Sequence, residues 1–287
     1  MRVALIISLF SFLTCPDVGL AQGDLAKAQL LYQESKYPEA LALIEDALSA
    51  GQESQLAWRI KGDCLQKEEK YVAAIQAYEK AGKFAEESAI LEANWGAAYI
   101  NLGQTAEAEK KLKKALKFDN SLPEAHYFMG NLLYADFNTA AAWKSYNEAV
   151  KLRADYRDAI FMRAAAASER EKYGEALADY QRVLEIDPNL VAARFNMAVI
   201  RVENELYSEA IADLEAIKPH DLDAPVDYHF YMGEALYFSG RKEDACGQYQ
   251  LAFKYGDAES GDIYERYCLN KEERKAAAAK RTIRMSF

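Results

Sequence analysis

The chain has 287 residues, 51% of them apolar, with a formal charge of -10 and a pI near 5.0. That apolar content can bury a large core and argues against intrinsic disorder outside the ends of the chain. The acidic balance, with no run of Lys and Arg ahead of the C-terminal tail, argues against a surface that tracks nucleic-acid phosphates.

In chain order the first element reads as an export signal. Arg2 precedes an eleven-residue apolar run, Val3 to Leu13, which is too short to span a bilayer. Gly19 and Ala21 follow at the spacing a signal peptidase reads, so residues 1–21 are expected to be removed after Ala21. The protein is therefore expected to be periplasmic or secreted. A lipid anchor through Cys15 is the rival reading, weakened by Thr14 and Phe12 in its flanking places.

From there a fixed cadence governs the chain. Ala40, Ala74, Ala108, Ala142, Ala176, Ala210 and Ala245 are spaced by 34 residues five times and then once by 35. Ala47, Ala81, Ala115, Ala149, Val183, Ile217 and Ala252 follow seven residues behind. A period in this range marks a stacked repeat architecture. Inside each unit the apolar pattern is helical, and a short polar turn splits it into two helices. The third unit predicts helices over Ala89 to Leu102 and Thr105 to Phe118, with Gly103 as a left-handed cap and Thr105 capping the second helix through its hydroxyl. Small residues recur in each first helix, at Ala28, Gly62, Gly96, Gly130, Ala164, Ala198 and Gly233, and predict close helix approach. Pro123 and Pro225 fall at helix starts, and Pro219 predicts an early stop followed by an extended loop over residues 218–226.

The second unit supplies Trp58, Gly62, Leu65, Ala74, Tyr78 and Ala81, the third Trp95, Gly96, Tyr99, Ala108, Leu112 and Ala115, and the fifth ends on Ala176, Tyr180 and Asp187-Pro188. In this register the sequence resembles the tetratricopeptide repeat family. The resemblance implies an all-α, right-handed superhelical solenoid of seven two-helix units: 21–54, 55–88, 89–122, 123–156, 157–190, 191–225 and 226–259. A capping helix is expected over 260–270, carrying Ile263, Tyr264 and Tyr267, and a basic tail over 271–287. Lys27, Lys61 and Arg163 depart from the family pattern in usually apolar slots, where long side chains can reach out to water. The tail, with Arg274, Lys275, Lys280, Arg281 and Arg284, reads either as a frayed solvated helix or as a contact for acidic partners or anionic lipid. Cys246 and Cys268 lie close to the expected cap. An exported compartment permits a disulfide between them, against the reading of two buried small hydrophobes. Cys64 reads as buried.

No motif of catalysis or phosphate binding occurs, and His126, His220 and His229 have no Cys or second His at ligand spacing. His126 and His229 occupy a place the family often gives to Trp, so they read as packing residues. No catalytic, metal or cofactor site is expected, and the protein reads as no enzyme.

The resemblance implies instead a groove lined by the inner face of each first helix. The places that carry over are Tyr127, Phe161, Phe195 and Phe230, followed on the same face by Asn131, Tyr134, Val199, Val202, Glu234 and Tyr237. Glu124, Asp158, Glu169, Glu203 and Asp227 border it, while Arg59, Asp63, Lys67, Ala93 and Asn94 hold the same places in the first half. The ladder reads either as plain packing between repeats or as a surface for a protein or peptide segment with apolar anchors and basic residues. Arg59 and Asn94 match two places of the family's carboxylate clamp, but Asp63 and Glu124 would repel a carboxylate. The expected function is a non-enzymatic interaction scaffold or adaptor of a bacterial cell envelope. An accessory subunit regulating an envelope enzyme is the alternative, and membrane contact is expected only through the tail or Cys15.

Overall fold

In the computed structural model, residues 17–217, 227–270 and 272 are described. Fourteen of the helices among them follow one another in chain order as seven helix–turn–helix repeats: α1 (Asp17–Gln33) and α2 (Tyr37–Ser49), α3 (Gln55–Lys67) and α4 (Tyr71–Ala81), α5 (Ala89–Asn101) and α6 (Thr105–Phe118), α7 (Pro123–Ala135) and α8 (Thr139–Leu152), α9 (Arg157–Ser168) and α10 (Tyr173–Ile186), α11 (Val191–Glu203) and α12 (Tyr207–Glu215), and α13 (Tyr228–Phe238) and α14 (Lys242–Lys254). A fifteenth helix, α15 (Ala258–Tyr267), follows. The all-α repeat architecture predicted from the cadence is thus the one observed. The leader through Cys15, the segment holding Pro219, His220 and Pro225, and the basic residues of the tail lie outside the described residues.

Each turn from first to second helix is built the same way. Ser35, Glu69, Gly103, Phe137, Glu171, Glu205 and Gly240 all adopt a left-handed φ between 57° and 92°. Their amides and the next ones donate back across the helix end, as Glu69 N to Gln66 O (3.1 Å) and Lys70 N to Leu65 O (2.9 Å). This is the paired bonding of a Schellman cap, which satisfies carbonyls a helix end leaves open. Ser54, Ser88, Asn138 and Asp257 cap helix starts through their side chains. Thr105 does not. It is the first residue of α6, and its predecessor Gln104 makes no side-chain cap bond.

The alanine columns lie in the core. All seven of the first column are fully buried, and the second column is at most 4% exposed. The small residues of the first helices face a third column, sixteen residues on. A Cβ on Gly62 would stand 2.4 Å from the Tyr78 ring, one on Gly96 2.8 Å from Leu112, and one on Gly233 2.7 Å from Tyr249. Glycine is required there because no real Cβ tolerates such contacts, so the helices cross at this point.

Two of the three charged departures from the family pattern, Lys61 and Arg163, are paired, whereas Lys27 is exposed. Arg163 reaches both Asp179 oxygens at 2.7 Å and Asn147 Oδ1 at 2.8 Å. Lys61 holds Glu45 at 2.7 Å, and Arg201 is bonded to Asp213. Burial raises the Asp213 carboxyl pKa, and the Arg201 charge opposes that rise.

The chain divides into two compact units, Met1–Leu132 and Leu133–Phe287. In the first, Trp58, Leu65, Tyr78, Leu91, Phe84 and Trp95 share one core cluster. In the second, Ala198, Leu214, Tyr228, Met232, Leu236 and Tyr249 form another.

Candidate functional site

The candidate surface of the second unit is built on α9, α11 and α13. Phe161, Phe195 and Phe230 sit at one place on each of those helices, and all three are half-buried. Phe230 meets Tyr231 at 5.2 Å between ring centroids, and Tyr231 meets Phe195 edge-on at 5.7 Å. Rings of α11 and α13 therefore form one run. Phe161 packs edge-on against Tyr180 at 5.4 Å, and the Tyr180 hydroxyl accepts from Asn196 Nδ2 at 3.0 Å. Burial pushes the Tyr180 hydroxyl up to about 12, so it stays protonated across the physiological range. Phe195, Val202, Tyr231 and Tyr237 also rest on the core cluster beneath them. These residues therefore pack against the core and keep part of their surface accessible.

The polar places are engaged with their own fold. The Tyr249 hydroxyl donates to Glu234 Oε1 at 2.7 Å, and the Tyr134 hydroxyl donates to Glu169. Burial raises the pKa of both tyrosines, and the adjacent carboxylates raise it further. Asp158 pairs with its neighbour Arg157 at 2.9 Å. Glu203 and Asp227 stay exposed beside the ring run. Tyr237 turns to the C-terminal end, 5.6 Å from Tyr267 and with Lys242 5.3 Å above its ring.

In the first unit Tyr127 contacts its neighbour Phe128 at 5.4 Å, and Asn131 is half-buried. Two of the groove places predicted there are not surface. Asp63 is 4% exposed and Ala93 fully buried. Asp63 accepts from Arg59 at 2.6 Å and from Asn94 at 2.8 Å, with the Tyr78 hydroxyl 2.9 Å away. Burial raises its pKa, and those partners pull it back. Arg59 and Asn94 are thereby committed to an internal carboxylate. His126 Nε2 lies 2.9 Å from Asn120 O, and His229 Nδ1 lies 2.8 Å from Gln248 Oε1 with its ring stacked on Tyr255.

Sequence reasoning missed Tyr231, Asn196 and Glu92. Asn94 and Asn196 carry a readable signal, since each lies sixteen residues after a buried tyrosine, Tyr78 or Tyr180, and ties that tyrosine's cluster to the next repeat. Glu92 occupies the place of Trp58 one repeat later, is 4% exposed, and binds Lys111 at 3.1 Å and Lys114 at 2.6 Å. Nothing in the local pattern marks it as buried.

At the C-terminal end Cys246 of α14 is bonded to Cys268, just past α15, with a Cα–Cα distance of 5.6 Å. Cys64 is free and buried. No group of His, Cys, Asp and Glu suited to a metal ion occurs among the described residues, and no described helix is long and apolar enough to cross a membrane.

Sequence profiles described as "Tetratricopeptide repeat" and "TPR repeat" match residues 25–88 for the first, and 96–136 and 168–205 for the second. No curated protein matches the chain. Among solved structures it is similar to a chain of the APC/C hetero-tetramer Cut9-Hcn1, with a TM-score of 0.67, 16% identity, and coverage of 75% of this chain and 42% of that one. It therefore spans about two fifths of that chain's length. YrrB, described as a TPR protein with an unusual peptide-binding site, matches at TM-score 0.60 and 21% identity over 67% of this chain and 99% of that one. PilF of Pseudomonas aeruginosa matches at TM-score 0.61 and 15% identity over 79% of this chain and 97% of that one. At these identities the likeness is one of fold.

Proposed function

Because the chain belongs to the tetratricopeptide repeat family, a fold that serves protein–protein interaction, we propose that it is an exported scaffold of the cell envelope whose second unit holds a segment of a partner protein. The partner segment carries apolar anchors that settle on Phe195, Tyr231 and Phe230, and Lys or Arg side chains that meet Glu203 and Asp227. The observation carrying this reading is the half-buried ring run of α11 and α13 with exposed carboxylates beside it. Rings already seated on a core lose little further freedom on binding, which suits them as anchors. Support for export comes from the apolar leader and from the Cys246–Cys268 bond, which persists in oxidising compartments.

A photo-crosslinking residue placed at Phe230, and as a control at the exposed Glu185, tests the reading in native cells. A discrete adduct at Phe230 that is absent at Glu185 and lost on Phe195→Ala supports it. Equal labelling at both places, or none, overturns it.

A further inference from the structure

A second surface, on the first unit, has the opposite charge. From Tyr71 to Lys83 and from Thr105 to Phe118 the chain carries seven Lys against three Glu, within an acidic protein. Two hollows meet over Trp58. One of about 350 Å³ is lined by Glu53, Trp58, Lys80, Lys83 and Phe84. The other, about 280 Å³, has Trp58, Lys61 and Lys80 in its wall.

The lysines here differ in how their charge is answered. Lys61 is held by Glu45. Lys111 stands 2.8 Å above the Trp95 ring and, with Lys114, is paired with the buried Glu92. Desolvation lowers the Lys111 pKa, and Glu92 opposes that shift. Lys80 lies 4.1 Å from the Trp58 ring centroid, and neither it nor Lys83 has a carboxylate at ion-pair distance among the described residues. The larger hollow thus combines Trp58 and Phe84 with two lysines, one of them over the indole, that have no carboxylate at ion-pair distance among the described residues. An ammonium held over an indole keeps its outer side open to an anion.

The surroundings select the kind of anion. Glu53 lines the hollow, and Glu86 and Glu87 are exposed close by in sequence, so an extended polyanion or a flat anionic membrane would meet repulsion at the edges. A single carboxylate seated at Lys80 and Lys83 beside an apolar side chain meets less of that repulsion, because it does not extend to the edges. We propose that the hollow over Trp58 binds an acidic peptide segment, with one or two Asp or Glu carboxylates at Lys80 and Lys83 and an adjoining apolar side chain on Trp58 and Phe84. This site shares no residue with the ring run of the second unit, so either can fail without the other.

The test uses the full chain labelled with 5-fluorotryptophan, whose three resonances report Trp58, Trp95 and Trp143. The probes are acetyl-Glu-Leu-Glu-Phe-amide, its lysine counterpart acetyl-Lys-Leu-Lys-Phe-amide, inorganic phosphate, and phosphatidylglycerol vesicles. The acidic peptide should move the Trp58 resonance saturably and leave Trp143 unmoved. Lys80→Glu with Lys83→Glu should weaken that response at least tenfold, and the milder Lys80→Gln with Lys83→Gln should weaken it by several fold. No saturable shift, an equal shift with the lysine peptide, or unchanged affinity in both variants overturns the proposal. A stronger response to phosphate or to vesicles than to the peptide also overturns it, in favour of a plain anion or lipid site.

Discussion

At the scale of single residues, the first-to-second-helix turns concentrate backbone strain. A left-handed conformation costs an L-residue about 1–2 kcal/mol. Gly103 and Gly240 avoid that cost, whereas Ser35, Glu69, Phe137, Glu171 and Glu205 bear it. Phe137 is also 91% exposed, so its ring returns almost no burial. Phe137→Gly and Glu171→Gly should each stabilise the fold by about 0.5–1 kcal/mol after the extra chain entropy of glycine, read as a rise in the thermal midpoint. Asp63 makes a pH prediction. Its carboxyl pKa is raised in the fold, so the native state holds the proton more tightly than the unfolded chain. Its contribution to stability is therefore fullest below the ordinary Asp value of about 4 and declines as pH rises through the native value. Asp63→Asn cannot titrate, so the difference in midpoint between variant and parent should move in the variant's favour between pH 4 and pH 7. A difference constant across that range would show that Asp63 binds its proton alike in both states.

At the scale of elements, the helix pairs depend on the small-residue slot. Gly62→Ala forces a Cβ into the Tyr78 ring, which is anchored by Asp63, and should cost about 1–3 kcal/mol by denaturant unfolding. The second change Tyr78→Leu should recover part of that loss, since a later repeat holds Ala198 and Leu214 at these two places, both fully buried in one cluster. The C-terminal pair is held differently. Ile263 and Tyr264 of α15 rest on the core cluster, and the disulfide closes a separation of 22 residues between α14 and the end of α15. Reduction, or Cys246→Ser with Cys268→Ser, should lower stability by about 3 kcal/mol on the loop-closure estimate. An unfolding midpoint unmoved by reductant would assign the docking of α15 to its apolar face alone.

At the scale of the whole molecule, charge is distributed unevenly. Residues 133–270 hold 15 Lys and Arg against 25 Asp and Glu, a net of -10, while the Lys-rich stretches flank Trp58 and Trp95. A field of that sign speeds encounter with cationic segments and is screened by salt. The association rate of a lysine-rich probe peptide should therefore fall steeply from about 20 mM to about 200 mM salt, near the range where the Debye length drops below 10 Å. Glu203→Lys with Asp227→Lys should flatten that dependence if the ring run is where such a segment lands.

The helix repeats, their register and the buried columns follow from the order of residues alone. Period and small-residue spacing are local properties of a helix, so Ala40 through Ala245 could be assigned to the core without coordinates. The left-handed turn is legible only where glycine holds it, at Gly103 and Gly240, because Ser35, Phe137 and the glutamates adopt that conformation under the pull of the flanking helices against their own preference. The candidate ladder could be named from its place in the repeat, yet its partition was decided only by tertiary structure. Which ring rests on the core, which carboxylate is taken by a tyrosine, and which lysine is left without an acid depend on residues brought together from different helices. Asp63 and Glu92 show this most plainly. Both read as ordinary solvated acids along the chain, and both lie inside the fold because neighbouring helices supply partners that permit their burial, Tyr78 and Asn94 for Asp63 beside Arg59 of its own helix, and Lys111 and Lys114 for Glu92.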